Sequence, residues 1–124
     1  MGLEGLSEWQ RRSAFFVDAI DRFDEIRSTD DPVYFAKSFM RTMKIDRPAA
    51  RMLLLSVRDV DTEALKRITM PTLVVCGAQD DDNGSASALA AELPQARYVE
   101  VPGTHMSSVT EPEFGEAITQ FLGG

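Results

Sequence analysis

Thiol and imidazole chemistry have one representative each in this chain: Cys76 is its only cysteine and His105 its only histidine. One cysteine rules out an internal disulfide framework. Cys76 lies in the apolar run Leu73-Val74-Val75-Cys76 and lacks the C-x-x-C partner or neighbouring histidine of a zinc or redox motif, so it reads as a buried core residue. No apolar stretch approaches the roughly 18 residues of a membrane span. The opening Met1-Gly2-Leu3-Glu4-Gly5-Leu6-Ser7 has neither the basic flank nor the apolar core of a secretion signal. Gly2 would need Ser or Thr at the sixth position for myristoylation and meets Leu6. Basic residues are outnumbered 13 to 20 by acidic ones, and the net charge of −7 with a pI near 4.6 excludes the clustered cationic surface that phosphate neutralisation requires. The expectation is a cytoplasmic protein with no membrane or nucleic-acid partner and no cofactor.

What is present fits one domain of 124 residues, 44% hydrophobic and 27% charged, able to bury roughly two-thirds of its unfolded surface. Its hydrophobic period changes near Met70. Before that point the apolar residues recur at helical spacing. Leu6, Trp9, Ser13, Phe16, Ile20 and Phe23, opened by a Ser7/Gln10 capping box, predict one long helix over about 7–27. Asp31-Pro32 predicts the start of a second, with Phe35, Ala36, Phe39, Met40 and Met43 on one face. Asp46 predicts the cap of a third through Met52-Leu53-Leu54-Leu55, and Asp61 starts a further short turn. Met40, Met43 and Met52 are expected in the core, with a pliable substrate pocket as the alternative reading.

After Met70, Thr72-Leu73-Val74-Val75-Cys76 predicts a strand buried on both faces, Ser85 to Leu93 a helix stopped by Pro94, and Arg97-Tyr98-Val99-Glu100-Val101 a second strand. Thr110 with Glu113 predicts the capping box of a last helix through Phe121. The fold class is α/β: a helical part, 1–69, followed by a βαβα unit, 70–124, with a two-stranded parallel sheet in a right-handed crossover. In such a unit Asp80 and His105 both fall just beyond the carboxyl ends of their strands, at the sheet edge where open α/β folds place their sites. An Asp and a His brought together there supply the acid and base of a site in which the imidazole takes a proton from a nucleophile.

The order Pro71-Thr72-Leu73-Val74-Val75-Cys76-Gly77-Ala78-Gln79-Asp80, helix, Leu93-Pro94-Gln95-Ala96, strand, Gly103-Thr104-His105-Met106, helix resembles the C-terminal end of an α/β-hydrolase over residues from about 66 to 124. The resemblance implies that Asp80 matches the triad acid and His105 the triad base, in the chain order Ser, Asp or Glu, His. It implies a small-molecule acyl substrate such as an ester. It also places the helical part as the cap inserted before the last strands, or its first long helix in the layer against the sheet.

The departures from the family pattern are equally specific. No G-x-S-x-G nucleophile elbow and no HGGG-like oxyanion stretch occur. Ser107 and Ser108 are too close in sequence to His105 to sit on the strained strand-to-helix turn that exposes a nucleophile. The acidic run Asp80-Asp81-Asp82-Asn83-Gly84 fails as a calcium loop, since Gln79 and Ala90 would occupy its first and twelfth positions, and no metal is expected. Asp81 and Asp82 are expected as solvated charge near the start of the next helix. Two function classes stay open. One is the C-terminal part of a longer hydrolase whose nucleophile lies elsewhere; the other is a non-catalytic binding or dimerisation module of the same descent. The strand at 72–76 is expected to leave an unpaired edge through which copies associate.

Overall fold

The computed structural model describes residues 2–124; Met1, the first residue of the expected helical part, lies outside them. The described chain runs α1 (Glu4–Ser7), α2 (Trp9–Asp21), α3 (Tyr34–Thr42), α4 (Arg47–Ser56), a 3-10 helix (Thr62–Arg67), β1 (Thr72–Gly77), α5 (Ala86–Glu92), β2 (Ala96–Val101), a 3-10 turn (Ser108–Thr110) and α6 (Pro112–Gly123). It forms two compact units, residues 8–59 and residues 60–124 together with the N-terminal segment through 7.

In the second of these units, β1 and β2 pair in parallel with Thr72 opposite Ala96 and Gly77 opposite Val101, joined through α5. The β-branched run and the alanine-rich stretch after it thus form the βαβα unit that their composition predicts. Ser85 caps α5 by accepting a hydrogen bond from the Ala88 amide at 3.0 Å. The core lies between the sheet and α5: Val74 and Cys76 of β1 pack with Leu89, Leu93 and Ala86, and Leu65 of the 3-10 helix joins them. Burying a leucine here contributes about 1.5–3 kcal/mol. β1 is fully buried on that face alone. Leu73 and Val75, on the other face, are only half-buried, which departs from the expected two-sided burial.

The N-terminal segment joins this unit rather than opening a long helix. The Leu3 amide donates to the Ser85 carbonyl at 2.9 Å, the Gly5 amide to the Asn83 carbonyl at 3.0 Å, and the Glu4 carboxylate accepts from the Ser85 amide at 2.7 Å. Leu3 and Leu6 pack on the Val74–Leu89 core. The Ser7/Gln10 capping box therefore does not form. Ser7 Oγ donates back to the Leu3 carbonyl, and the Gln10 amide is satisfied by Asp59 at 2.8 Å instead. Two helices stand where one was expected, and α2 stops at Asp21.

The unit of residues 8–59 packs α3 and α4 on α2. Its core is Ala19, Ile26, Val33, Ala36 and Met40. Of the apolar face expected on α3, Ala36 and Met40 are buried, while Phe35 is 75% and Phe39 55% exposed. Met43 and Met52 are likewise exposed rather than core. The physical reason is width: the apolar stripe of α3 is broader than the single neighbouring helix α2 can cover. Asp46 caps α4 as expected, accepting from the Ala49 amide at 3.0 Å. Asp31 takes a different task. It accepts from the Val33 amide at 3.1 Å and from Arg22 at 3.0 Å, ahead of a helix that begins only at Tyr34. Arg22 also holds Asp18 at 2.7 Å, so its guanidinium fastens the end of α2 to the loop before α3 and keeps both carboxyls below their ordinary range.

Candidate active site: the Asp80–His105 pair

Both site loops leave the sheet at its carboxyl end and are held to each other by backbone before any side chain is considered. The Ala78 amide donates to the Val101 carbonyl at 2.8 Å and the Gln79 amide to the Gly103 carbonyl at 3.0 Å. This approach depends on two glycines. A methyl group at Gly77 would run into the Gly103 carbonyl and the Ser108 side chain, while Gly103 itself has φ +102, a conformation L side chains rarely adopt. The Asp80 amide then closes a turn onto the Gly77 carbonyl at 3.0 Å. On the facing loop, the Thr104 amide donates to Ser107 Oγ at 2.9 Å and the Ser108 amide to the Thr104 carbonyl at 3.0 Å. These turns fix where Asp80 and His105 project.

The two side chains meet. His105 Nδ1 lies 3.0 Å from Asp80 Oδ2, the meeting of acid and base expected from a parallel βαβα unit. Asp80 is largely enclosed, its side chain 8% exposed, whereas that of His105 is 43% exposed. Burial by itself pushes the Asp80 carboxyl up. The bond from His105, the Asp82 amide on Oδ1 at 3.2 Å, the imidazolium charge and the Cys76 thiol together bring it below its ordinary value. Asp80 is thus held as a carboxylate. With Nδ1 turned to that carboxylate, the proton of a neutral ring belongs on Nδ1, and Nε2 is left as the basic nitrogen.

Among the described residues no hydroxyl is hydrogen-bonded to Nε2. Ser107 Oγ is tied into its own turn, accepting from the Thr104 amide and sharing a hydrogen with Thr104 Oγ1 at 3.2 Å, and Ser108 is buried. Neither is presented as a nucleophile. The Thr110/Glu113 capping box does not form; Thr110 Oγ1 donates to the Ser107 carbonyl at 2.7 Å, and α6 starts at Pro112 without a side-chain cap. Donor atoms of Asp80, Asp82 and His105 lie within 4.8 Å of one another, the spacing of a cation site. Two of the three are hydrogen-bonded to each other, and Asp82 is exposed, so the Asp80–His105 pair accounts for the cluster. Asp82 marks the turn of the Asp80 loop through its amide, while Ser85, not an aspartate, caps α5.

Two features of the site escaped the sequence. One is the glycine-on-glycine approach, whose trace is a glycine that ends β1 and another two residues beyond β2. The other is Cys76, whose Sγ lies 3.7 Å from Asp80 Oδ2. An open apolar groove of about 340 Å³ runs beside β1, lined by Leu6, Ile68, Leu73 and Val75 among others. Neither Asp80 nor His105 lines it.

The chain is similar to a solved hydrolase from Pseudomonas aeruginosa, with 28% identity and a TM-score of 0.59 over 96% of this chain and 51% of that one. It is similar in fold to a non-heme bromoperoxidase from Mycobacterium tuberculosis H37Rv, with 19% identity and a TM-score of 0.62 over 91% of this chain and 52% of that one. It spans about half the length of each. No protein-family model and no curated protein sequence matches it.

Proposed function

We propose that this chain, which has the mixed α/β fold of the C-terminal part of an α/β-hydrolase, supplies the acid and base of a hydrolytic site for esters or related acyl compounds. Nucleophile and oxyanion donors come from outside these 124 residues, upstream or on another chain. The observation that carries the reading is the 3.0 Å contact between Asp80 Oδ2 and His105 Nδ1, made by two loops at one edge of a parallel sheet. In the reaction, the serine oxygen attacks the acyl carbonyl while Nε2 of His105 takes the hydroxyl proton. Asp80 holds the ring through Nδ1–H and offsets the imidazolium charge. The same Nε2–H then protonates the departing alkoxide, and a water repeats the cycle on the acyl-enzyme.

Alone, the chain is expected to leave p-nitrophenyl esters at the background rate, because both covalent catalysis and the oxyanion hole are missing from it. The test is a chimera in which the part of the Pseudomonas hydrolase that this chain does not match is joined ahead of it. The folded chimera should turn over p-nitrophenyl acetate, and His105→Ala and Asp80→Asn should each lower kcat by roughly a thousandfold or more. A folded chimera whose turnover is indifferent to His105→Ala overturns the reading. One that is inert, while binding to a hydrolase half persists, favours the non-catalytic module.

A further inference from the structure

We propose that Cys76 is a positioning residue for Asp80: its thiol approaches the carboxylate from the core side and donates to Oδ2, the same oxygen that accepts from His105 Nδ1. The inference rests on the reading of Asp80 and His105 as an acid and base pair, and it concerns what aims that pair. Cys76 is the penultimate residue of β1, buried in the Val74–Leu89–Leu93 cluster. Its Sγ lies 3.7 Å from Oδ2 and 3.9 Å from the Asp80 carbonyl, long contacts of the kind a weak S–H donor makes. The carboxylate is therefore held at three points. Asp82 N–H engages Oδ1, His105 engages Oδ2 from the open side, and the thiol engages Oδ2 from beneath.

The residue type suits the place. The position is lined by leucine, valine and alanine, where a strongly polar side chain would lose its hydration, yet a purely apolar one would leave the inner side of a desolvated carboxylate without a donor. A thiol is small, core-compatible and carries one proton. Burial, and then the charge of Asp80, push the Cys76 pKa up, so the sulfur keeps that proton and remains a donor rather than a competing anion. Among the described residues, the other charged groups near the pair are Asp82 in the Asp80 loop and Glu100, the register partner of Cys76 on β2. Both are exposed acids, so neither replaces the donor.

The experiment follows the Asp80 carboxyl carbon by 13C NMR through an acid titration of the full chain. Cys76→Val, an apolar strand-forming replacement of similar size, should raise the midpoint, making Asp80 roughly a two- to threefold weaker acid. Cys76→Ser, which places a stronger O–H donor at the same position, should lower it below the wild-type value. An unchanged midpoint in the valine variant, or a serine variant that titrates like valine, overturns the inference. If the valine variant does not fold, serine decides alone: a better donor must lower the midpoint, and an unchanged or raised one is contrary. His105→Ala separates the two levels. It should raise the Asp80 midpoint whatever occupies position 76; if it does not, the acid and base pairing fails and not merely the role of the thiol.

Discussion

Gly77→Ala should be among the most damaging single-methyl changes in the chain. In β1 the backbone of Gly77 accepts alanine without conformational penalty, since it is not in the left-handed region, so the cost comes from contact alone. The new methyl would meet the Gly103 carbonyl, which accepts the Gln79 amide at 3.0 Å, and Ser108 Cβ at 3.0 Å. Relieving an overpacked backbone contact costs about 1–3 kcal/mol, and stretching the Gln79 bond costs a further ~1 kcal/mol. Together these make about 2–4 kcal/mol, set against a domain stability on the order of 5–15 kcal/mol. Gly115→Ala is the internal control. No atom lies within 4 Å of a Cβ there, it is a helical position, and alanine should stabilise by about 0.5–1 kcal/mol. Hydrogen exchange at Val74 and Cys76, whose amides point at β2 by the alternation that starts with the Thr72 bond to Gln95, reads both changes. The first should accelerate exchange by roughly 30- to 900-fold and the second should slow it. Equal effects of the two alanines would refute the claim that the site loops are clamped by this close approach.

Asp46→Ala should destabilise α4 by about 1 kcal/mol through loss of the Ala49 cap, with Asp46→Asn near neutral, measured by hydrogen exchange within that helix. The folded Asp80 carboxyl lies below its ordinary value, so its stabilisation is complete above the unfolded value of about 4 and is lost as pH falls through the lower folded one. Stability of the sheet unit should therefore fall with acidification below about pH 4, and more gently in Asp80→Asn; parallel curves would contradict this. We also propose that copies associate through the β1 edge, where Leu73 and Val75 present unpaired backbone among the described residues. Sedimentation should show concentration dependence that Val75→Lys reduces, and a clean monomer at tens of micromolar (roughly the range where aggregation-prone species report themselves) would count against it.

Which parts of this fold could be read ahead of the structure follows from how local their causes are. β1, α5 and β2 arise from short runs whose composition and stops agree, and the parallel pairing then places the Asp80 and His105 loops at one sheet edge, where the close approach of Gly77 to Gly103 and the turns beyond them bring the side chains together. Asp46 caps α4 because donor and acceptor lie three residues apart. The failures are tertiary. Ser7 carries a cap pattern, but residues 2–7 gain more by docking on the 83–85 loop, where Glu4 reaches the Ser85 amide. Asp31 is drawn from its cap by Arg22, and Thr110 by the Ser107 carbonyl. The stripe on α3 predicts a buried face but not how much of it a neighbour covers. Cys76 was legible as core, yet its contact with Asp80 depends on a turn of four residues bending back over the end of β1, which composition does not encode.

We propose that Asp80 commits Nδ1 of His105 and leaves Nε2 free to act as a base. With one histidine in the chain, 15N NMR of the neutral ring at about pH 9, well above an ordinary imidazole titration, reads the tautomer without assignment. A proton predominantly on Nδ1 and a bare Nε2 are expected in the wild type, with that preference lost in Asp80→Asn. A ring protonated on Nε2 in the folded wild-type chain, or a tautomer unmoved by Asp80→Asn, would contradict it.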